Sequence, residues 1–329
     1  MDKSPTLLSV QQTSRYLIER DNYIIITHAN PDGDTCGSAA ALCAALRKLG
    51  KTAHVLPNST ITDRYHQYIR PYLIAEDMDA SFYDTGTVVT VDVADTALFS
   101  KEAEPFSSRV DLCIDHHPSN RRYSKYLLLD ADAAAAGELI LDLICDIGIE
   151  LDGEIALPLY LAIATDTGCF RFSNTTPRTF RAAARLLETG IDFMEINTSF
   201  FDTRSKTRLL IEQKIFENLR YYNNETTALA VLTKKLMSDI GAKEEDVENL
   251  SSFLRSIEGV NIGVLIRERE NDTWKISVRT GPGANASNIC MALGGGGHER
   301  AAGCTYTGTL EDAVSAILQS IETEIRSNA

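Results

Sequence analysis

Residues 23–38, which read YIIITHANPDGDTCGS, constrain this chain more than any other stretch. The first five are apolar or β-branched, a pattern that predicts a buried strand of a parallel sheet. The strand runs into His28, Asp32 and Asp34, and the Ala- and Leu-rich segment that follows predicts a helix. In open α/β sheets, ligands bind in the crevice beyond the strand ends. The stretch therefore places one imidazole and two carboxylates where a ligand site is expected.

The spacing of these side chains favours a metal ion. Pro31 and Gly33 force a turn, which lets Asp32 and Asp34 point into one cavity. Two carboxylates and an imidazole crowded together repel and are poorly solvated unless a cation holds them. Taken alone, the loop fits an ordinary solvated turn equally well, because short motifs recur by chance. Other parts of the chain have to decide between these alternatives.

Three further places carry the same chemistry at the end of a predicted element. They are Asp92 in the apolar run 87–93, Asp115, His116 and His117 after the run 110–114, and Asp166 after the predicted helix 154–165. A charged carboxylate inside such an apolar run is costly unless it has a partner. Together with the first loop, these places hold three of the six histidines of the chain. This coincidence favours a metal site over a set of unrelated turns.

The mixture of donors indicates which metal and how many ions. Imidazole and carboxylate together suit Mn²⁺ better than an all-oxygen Ca²⁺ site or a thiolate zinc site. Five or more donor groups exceed the needs of one open catalytic ion and suit a pair of ions about 3.5–4 Å apart. Such a pair activates a water and neutralises phosphoryl oxygens during in-line attack. The residues therefore predict hydrolysis of a phosphoester or phosphoanhydride.

Composition sets the broad class of protein. The 329 residues are 44% hydrophobic and 24% charged, which is typical of a globular chain with two domains. We expect a cytoplasmic protein that binds no membrane. The chain starts without a signal-peptide core, it has no apolar run of membrane length, and its seven cysteines are scattered without CxxC spacing. The net charge of −14 argues against binding of long duplex nucleic acid. A small anionic ligand remains compatible with it.

The motifs, taken in order, resemble those of a known family. HANPDGDTCGS, VDVADT, DHHP and ATDTG resemble the four motifs of the DHH phosphoesterase superfamily over roughly residues 15–200. GGGGHERAAG at residues 294–303 resembles the glycine-rich motif of the DHH-associated C-terminal domain, and residues 277–279 resemble its arginine strand. The size of the chain matches the nanoRNase/pAp-phosphatase (NrnA-like) branch.

The resemblance implies a fold and a domain layout. Residues 1–200 would form an α/β domain, a doubly wound and mostly parallel sheet that carries the dimetal site. Residues 201–222 would be a linker helix, and residues 223–329 a smaller α+β domain that binds substrate. The implied enzyme is a metal-dependent phosphodiesterase and phosphatase, and a homodimer is a possible assembly. It would degrade short oligonucleotides such as pApA to mononucleotides and dephosphorylate 3′-phosphoadenosine 5′-phosphate to AMP.

The resemblance also implies roles for individual residues. His28 and Asp32 would bind one Mn²⁺, Asp34 and His116 the other, and Asp92 and Asp166 would contact both, with Mg²⁺ or Co²⁺ as possible substitutes. His117 would contact substrate or donate a proton, and Asp115 would orient the histidines. The implied substrate-binding residues of the second domain are Arg279, Gly295, Gly296, Gly297, His298 and Arg300. One departure is AAAAGE at residues 133–138, where relatives often carry Ser or Thr before the Glu, so that any hydroxyl contact there is lost.

Two alternatives stay open at this point. An inorganic pyrophosphatase or exopolyphosphatase could use the same first domain, although the related pyrophosphatases carry a second domain based on lysine and arginine. A non-catalytic nucleotide sensor could keep the same pocket, although a sensor does not need every metal ligand. A long-chain exonuclease of the RecJ type fits the short, acidic chain less well.

Overall fold

The structure, a computed structural model, describes residues 4–75, 78–247 and 250–327. The chain divides between Thr203 and Arg204 into two compact units. The predicted α/β fold class is confirmed: the first unit has a parallel six-stranded sheet, and the second has a mixed six-stranded sheet with helices. In these described ranges, no helix combines the length and the apolar character needed to cross a bilayer.

The sheet of the first unit consists of β1 (Thr6–Leu7), β2 (Tyr23–Ile26), β3 (Ala53–Val55), β4 (Thr87–Val91), β5 (Leu112–Asp115) and β6 (Tyr126–Leu129). It has the order β1-β6-β5-β4-β2-β3, and all its neighbouring strands are parallel. Its helices are α1 (Val10–Glu19), α2 (Gly33–Lys48), α3 (Asp63–Ile69), α4 (Ala80–Thr85), α5 (Ala136–Ile147), α6 (Gly153–Asp166), α7 (Pro177–Leu187) and α8 (Phe193–Asn197).

Both faces of this sheet are buried. On one face Ile25, Val89 and Ile114 pack in the larger apolar cluster. On the other face Ile24 and Val88 pack in a second cluster. Successive residues of a strand point to opposite faces, so a parallel sheet that is covered on both sides has continuous apolar strands. This explains why the strands could be found in the sequence as uninterrupted β-branched runs.

The ends of several elements differ from the predicted ones, and two of these differences concern carboxylates of the site. The run predicted as strand 87–93 leaves the sheet after Val91, because Asp92 adopts a φ of 60°. This left-handed conformation turns the chain out of the ladder. The helix predicted over 154–165 continues through Asp166, which is its last residue. Both carboxylates therefore lie at the ends of rigid elements.

The second unit begins with a helix and continues with the mixed sheet. The segment predicted as a linker helix, 201–222, contains α9 (Lys206–Asn218) and then β7 (Arg220–Tyr222). The remaining elements are β8 (Thr227–Leu232), α10 (Lys234–Ile240), α11 (Leu250–Arg255), β9 (Ile262–Glu268), β10 (Thr273–Thr280), α12 (Ala286–Met291), β11 (Gly296–Gly297), β12 (Ala301–Thr307) and α13 (Leu310–Ser327). The sheet order is β11-β12-β10-β9-β8-β7, with only β8 and β9 parallel among these pairs.

Candidate metal centre

The carboxyl ends of β2, β4 and β5 and the end of α6 bring the predicted donors of the first unit together. The side chains form three groups, and within each group the potential ligand atoms all lie within 4.8 Å of one another. They are Asp92, His116 and His117; His28, Asp32 and Asp92; and Asp34, His116 and Asp166. Asp92 and His116 each belong to two groups, so the three form one continuous cluster.

The distances within the cluster define two neighbouring sets of donors. His28 Nε2 lies 3.7 Å from Asp32 Oδ1 and 3.8 Å from Asp92 Oδ2. His116 Nε2 lies 3.5 Å from Asp92 Oδ1, 3.7 Å from Asp34 Oδ2 and 3.8 Å from Asp166 Oδ2. The two oxygens of Asp92 thus face the two sets, one oxygen each. A carboxylate in this position can connect two ions.

The buried donors fit a divalent cation. Asp92 is only 3% exposed, and its Oδ1 accepts no hydrogen bond from any described residue. A buried carboxylate oxygen without a donor is destabilising unless a cation is present. Four carboxylates in contact with two imidazoles supply the hard oxygen and nitrogen donors that divalent first-row metals accept. The donor set therefore fits a metal centre better than a set of internal salt bridges.

The loop that carries the first donors is fixed by local hydrogen bonds. Asp32 is the N-cap of α2, where its Oδ1 accepts from the backbone N–H groups of Asp34 and Thr35 at 3.0 and 3.2 Å. Asn58 Nδ2 donates to the carbonyl oxygen of His28 at 3.0 Å. Thr35 Oγ1 donates to the Val91 carbonyl oxygen at 2.8 Å, which ties α2 to the strand before Asp92.

Asp34 lies deeper and is held by the N-terminus of α5. It accepts from the backbone N–H groups of Ala136 at 2.6 Å and Gly137 at 3.0 Å, and from Ser38 Oγ at 2.9 Å. Helix N-termini favour negative charge because their N–H groups are unpaired and the helix dipole is positive there. The backbone of the AAAAGE segment thus contacts the carboxylate directly, and Ser38 supplies a hydroxyl from α2.

The DHH motif is organised around Asp115, which is fully buried at the end of β5. Its Oδ1 accepts from His117 Nδ1 at 2.8 Å and from the His116 backbone N–H at 2.8 Å, and its Oδ2 accepts from Asn120 Nδ2 at 2.6 Å. His116 Nδ1 lies 3.1 Å from the Ala133 carbonyl oxygen. Both histidine rings are therefore fixed through Nδ1, and His116 presents Nε2 to the carboxylates.

Sequence reasoning missed several polar residues that orient the donors. Ser38 follows Asp34 by four residues, a helical spacing that could have identified it. Asn120 follows the DHHP motif closely, but nothing in its spacing indicated a contact with Asp115. Asn58 and Asn174 lie outside the motifs; Asn174 Nδ2 donates to the carbonyl oxygens of Asp166 at 3.1 Å and of Ala134 at 3.0 Å. No sequence signal pointed to these last two.

The second unit holds the predicted glycine-rich loop as a tight β-hairpin. Gly296 and Gly297 form β11 and pair with Gly303 and Ala302 of β12. A Cβ on Gly295 would lie 2.2 Å from the Gly303 carbonyl oxygen, and Gly297 has a φ of 147°. Glycine is therefore needed at Gly295 because β12 approaches closely, and at Gly297 because of its backbone conformation.

The charged candidates near this hairpin have different surroundings. Arg279 lies in β10 opposite Ala301 of β12, and burial lowers the pKa of its guanidinium. The backbone N–H of His298 donates to the Ala301 carbonyl oxygen at 2.8 Å, which closes the hairpin turn. Arg300 donates to the carbonyl oxygens of Gly281 and Ala284 and thus braces a neighbouring loop.

Known proteins match this chain over most of its length. Residues 22–163 match the family model described as "DHH family, N-terminal domain", and residues 228–327 match the "DHHA1 domain". A Thermus thermophilus protein named "Bifunctional oligoribonuclease and PAP phosphatase NrnA" is 33% identical over 92% of this chain and 89% of its own length. The chain belongs to the DHH family, in its NrnA-like branch. A Bacillus subtilis protein of the same name is 26% identical over 92% of this chain and 95% of that protein.

Among solved structures, an exopolyphosphatase-related protein from Bacteroides fragilis has a TM-score of 0.86 at 24% identity, covering 97% of both chains. This likeness shows the shared fold. As a DHH protein of the NrnA-like branch, the chain is a hydrolase of phosphoester bonds, and its candidate centre offers donors for divalent metal ions.

Without a cation, the charge balance of this DHH centre favours the protonated forms of several of its groups. Burial lowers the pKa of His28, but its hydrogen bond and ion pair with Asp32 and the charge of Asp92 outweigh this and raise the pKa to about 9. Burial and the charge of Asp92 raise the pKa of Asp34 well above its usual range. Burial raises the pKa of Asp166 to about 7, although the charge of nearby His116 opposes the change. A divalent cation would replace these protons.

Proposed function

We propose that this chain degrades short oligonucleotides, including pApA-type dinucleotides, to mononucleotides and dephosphorylates 3′-phosphoadenosine 5′-phosphate to AMP. The observation that carries the proposal is the pair of donor sets joined by Asp92, in a chain 33% identical over most of its length to a protein named for these two activities. The seven cysteines, all free thiols, support a reducing compartment and hence the cytoplasm.

The proposed site uses two Mn²⁺ ions, for which Mg²⁺ or Co²⁺ could substitute. His28 and Asp32 would hold one ion and Asp34 and His116 the other, while Asp92 and Asp166 would contact both. When bound, the ion pair supplies activation of a water and neutralisation of phosphoryl charge. The arrangement of Asp92 supports this assignment, since each of its two oxygens faces a different histidine.

We propose that His117 assists departure of the leaving group. Its side chain is 26% exposed, whereas that of Asp115 is fully buried. Burial lowers the pKa of His117, but the hydrogen bond from Nδ1 to Asp115 and the charge of Asp92 outweigh burial and raise it. A pKa raised in this way favours the protonated ring, which is the form that a general acid requires. Asp115 would fix the ring so that Nε2 faces the leaving oxygen.

In the second unit, we propose that Arg279, Gly295, Gly296, Gly297 and His298 bind the nucleotide substrate. Arg279 is well suited because a partly desolvated guanidinium can bind a phosphate with two hydrogen bonds or stack on a base. The partners of Arg300 suggest a supporting role, in which it shapes the loop next to the hairpin.

The test is product analysis of the purified protein with Mn²⁺. Four substrates are compared at equal concentration: a 5′-phosphorylated RNA dinucleotide, a 24-nucleotide RNA, 3′-phosphoadenosine 5′-phosphate and pyrophosphate. We expect mononucleotides from the dinucleotide, AMP from the bisphosphate, little product from the 24-nucleotide RNA and no phosphate from pyrophosphate. Chelator-treated enzyme serves as the blank.

Each rival function has its own outcome in this assay. Release of phosphate from pyrophosphate alone would identify a pyrophosphatase. Absence of turnover of all four substrates would favour the sensor. Rapid degradation of the 24-nucleotide RNA would contradict the selection of short substrates.

Metal binding should also stabilise the fold. Because the cluster contains buried carboxylates that repel one another, we expect Mn²⁺ to bind the folded state strongly and the unfolded chain weakly. At a free Mn²⁺ concentration of 100 times the dissociation constant, binding raises the free energy of unfolding by about 2.7 kcal/mol. This corresponds to a rise of about 5–10 °C in the unfolding midpoint of the first unit. Differential scanning calorimetry of chelator-stripped protein with added Mn²⁺ measures the shift. An unchanged midpoint with Mn²⁺, Co²⁺ and Mg²⁺ would contradict the metal site.

A further inference from the structure

Residues 133–137, which lead from β6 into α5, contact two of the proposed ligands through backbone atoms and are linked to a third through Asn174. The carbonyl oxygen of Ala133 lies 3.1 Å from His116 Nδ1. The N–H groups of Ala136 and Gly137 bind Asp34, as described above. The carbonyl oxygen of Ala134 accepts from Asn174, which also binds the backbone of Asp166. We call residues 133–137 the alanine segment.

The side chains of the alanine segment are methyl groups or hydrogen, so they cannot fix its position by polar contacts. The next residue, Glu138, does so instead: its side chain is 1% exposed, and its Oε2 accepts from the Ala134 backbone N–H at 3.2 Å. Arg178 Nε, on α7, lies 3.4 Å from the same Oε2. The other oxygen, Oε1, is buried and accepts no hydrogen bond from the part of the chain that the structure describes.

Arg178 also contacts residues on both sides of the alanine segment. Its Nη1 lies 2.6 Å from Asp130 Oδ2, directly after β6, and its Nη2 lies 2.6 Å from Asp142 Oδ2 on α5. One planar guanidinium therefore contacts the start of the loop, the helix after it and the buried Glu138 between them. Arginine suits this role because its five donors lie in a rigid fork.

We propose that Glu138 and Arg178 are positioning residues of the metal centre. Neither is one of the proposed ligands; they hold the alanine segment at the distance from which its backbone orients His116, Asp34 and, through Asn174, Asp166. The inference rests on the proposed metal site and deepens it. Removal of Arg178 would leave the buried Glu138 carboxylate without its cation, and the segment would shift to bring it water or another donor.

The experiment is calorimetric titration of chelator-stripped, full-length protein with Mn²⁺. Arg178→Met is compared with Arg181→Met, a matched control because Arg181 is exposed on the same helix one turn away. We expect the first change to weaken Mn²⁺ binding about 10–100-fold, the usual effect of losing a group that orients metal ligands. The control should change binding less than about twofold. The thermal midpoint of each stripped protein is measured in parallel.

Two further variants keep the test decisive if Arg178→Met does not fold. Glu138→Gln preserves the shape and an acceptor for the Ala134 N–H but weakens the contact with Arg178, and we expect weaker Mn²⁺ binding. Arg178→Lys keeps the charge but not the fork, and should recover part of the affinity. In a Glu138→Gln/Arg178→Lys double variant the two losses should not add, because the residues act as one unit.

Two results would overturn the inference and are distinguishable. Wild-type Mn²⁺ affinity in these variants, with a lowered thermal midpoint, would show that the pair serves stability alone. Failure of the wild-type protein to bind Mn²⁺ would reject the proposed metal centre itself, and the positioning role with it.

Discussion

Replacing Asp92 with Asn is expected to lower kcat/KM for a 5′-phosphorylated RNA dinucleotide by at least about 10³-fold. Loss of a group that only orients metal ligands lowers metal affinity or activity about 10–100-fold. Because Asp92 is proposed to contact both ions, its replacement should have a larger effect. Asn is the appropriate substitute because Asp92 has a φ of 60°, which Asn tolerates and most other residues do not. Initial rates and bound Mn²⁺ per chain are the measurements.

Asp95→Asn is the matched control for this change. Asp95 lies three residues further on, pairs with Arg121 at 3.6 Å and caps a short 3₁₀ turn, a role that Asn can also fill. We expect it to retain activity within about twofold, since surface ion pairs contribute little. Retention of both Mn²⁺ and activity by Asp92→Asn would contradict the assignment of Asp92 as the shared ligand.

Gly37→Ala is expected to destabilise the first unit by about 3 kcal/mol or more. A Cβ on Gly37 would lie 2.2 Å from the Pro158 carbonyl oxygen and 3.0 Å from the Ala162 backbone nitrogen, both on α6. Because the obstacle is backbone, a change of rotamer cannot relieve it, and α2 and α6 must separate. These helices carry Asp34 and Asp166, so Mn²⁺ affinity should fall together with stability. Thermal unfolding and Mn²⁺ titration measure the two effects.

Gly153→Ala separates this steric effect from the general effect of adding a methyl group to a helical glycine. Gly153 begins α6, and a Cβ there would meet one side-chain atom at 4.0 Å, an ordinary van der Waals contact. We expect a change within about 0.5 kcal/mol. If Gly37→Ala is as mild as Gly153→Ala, α2 and α6 are not packed as closely as the structure indicates.

The cluster around Asp92 has consequences for stability as well as catalysis. The buried carboxylates Asp34, Asp92 and Asp115 are placed together by α2, β4 and β5, whose apolar cores overcome the unfavourable burial of charge. Functional sites commonly carry such a cost, which the rest of the fold offsets. The stabilisation expected on Mn²⁺ binding measures how large that cost is in this protein.

The sequence by itself identified the strands that lead to the centre and the side chains that cluster there. Strand β2 could be predicted because residues 23–27 are apolar on both faces, a local pattern that follows from burial on both sides of a parallel sheet. The positions of His28, Asp92 and His116 at strand ends predicted that they would converge, because parallel strands end at the same edge. The order of the motifs was enough to recognise the DHH family.

Only the tertiary structure decided how these residues are held. The left-handed conformation of Asp92 is one such feature. The close approach of Gly37 to Pro158 is another, and so is the link from Arg178 through Glu138 to the alanine segment. Both of these contacts join positions that are distant in sequence. Periodicity reports which face of an element is buried, but it carries no information about which distant backbone atom lies opposite. Local patterns therefore determined the donors, and packing between α2, α5, α6 and α7 determined their geometry.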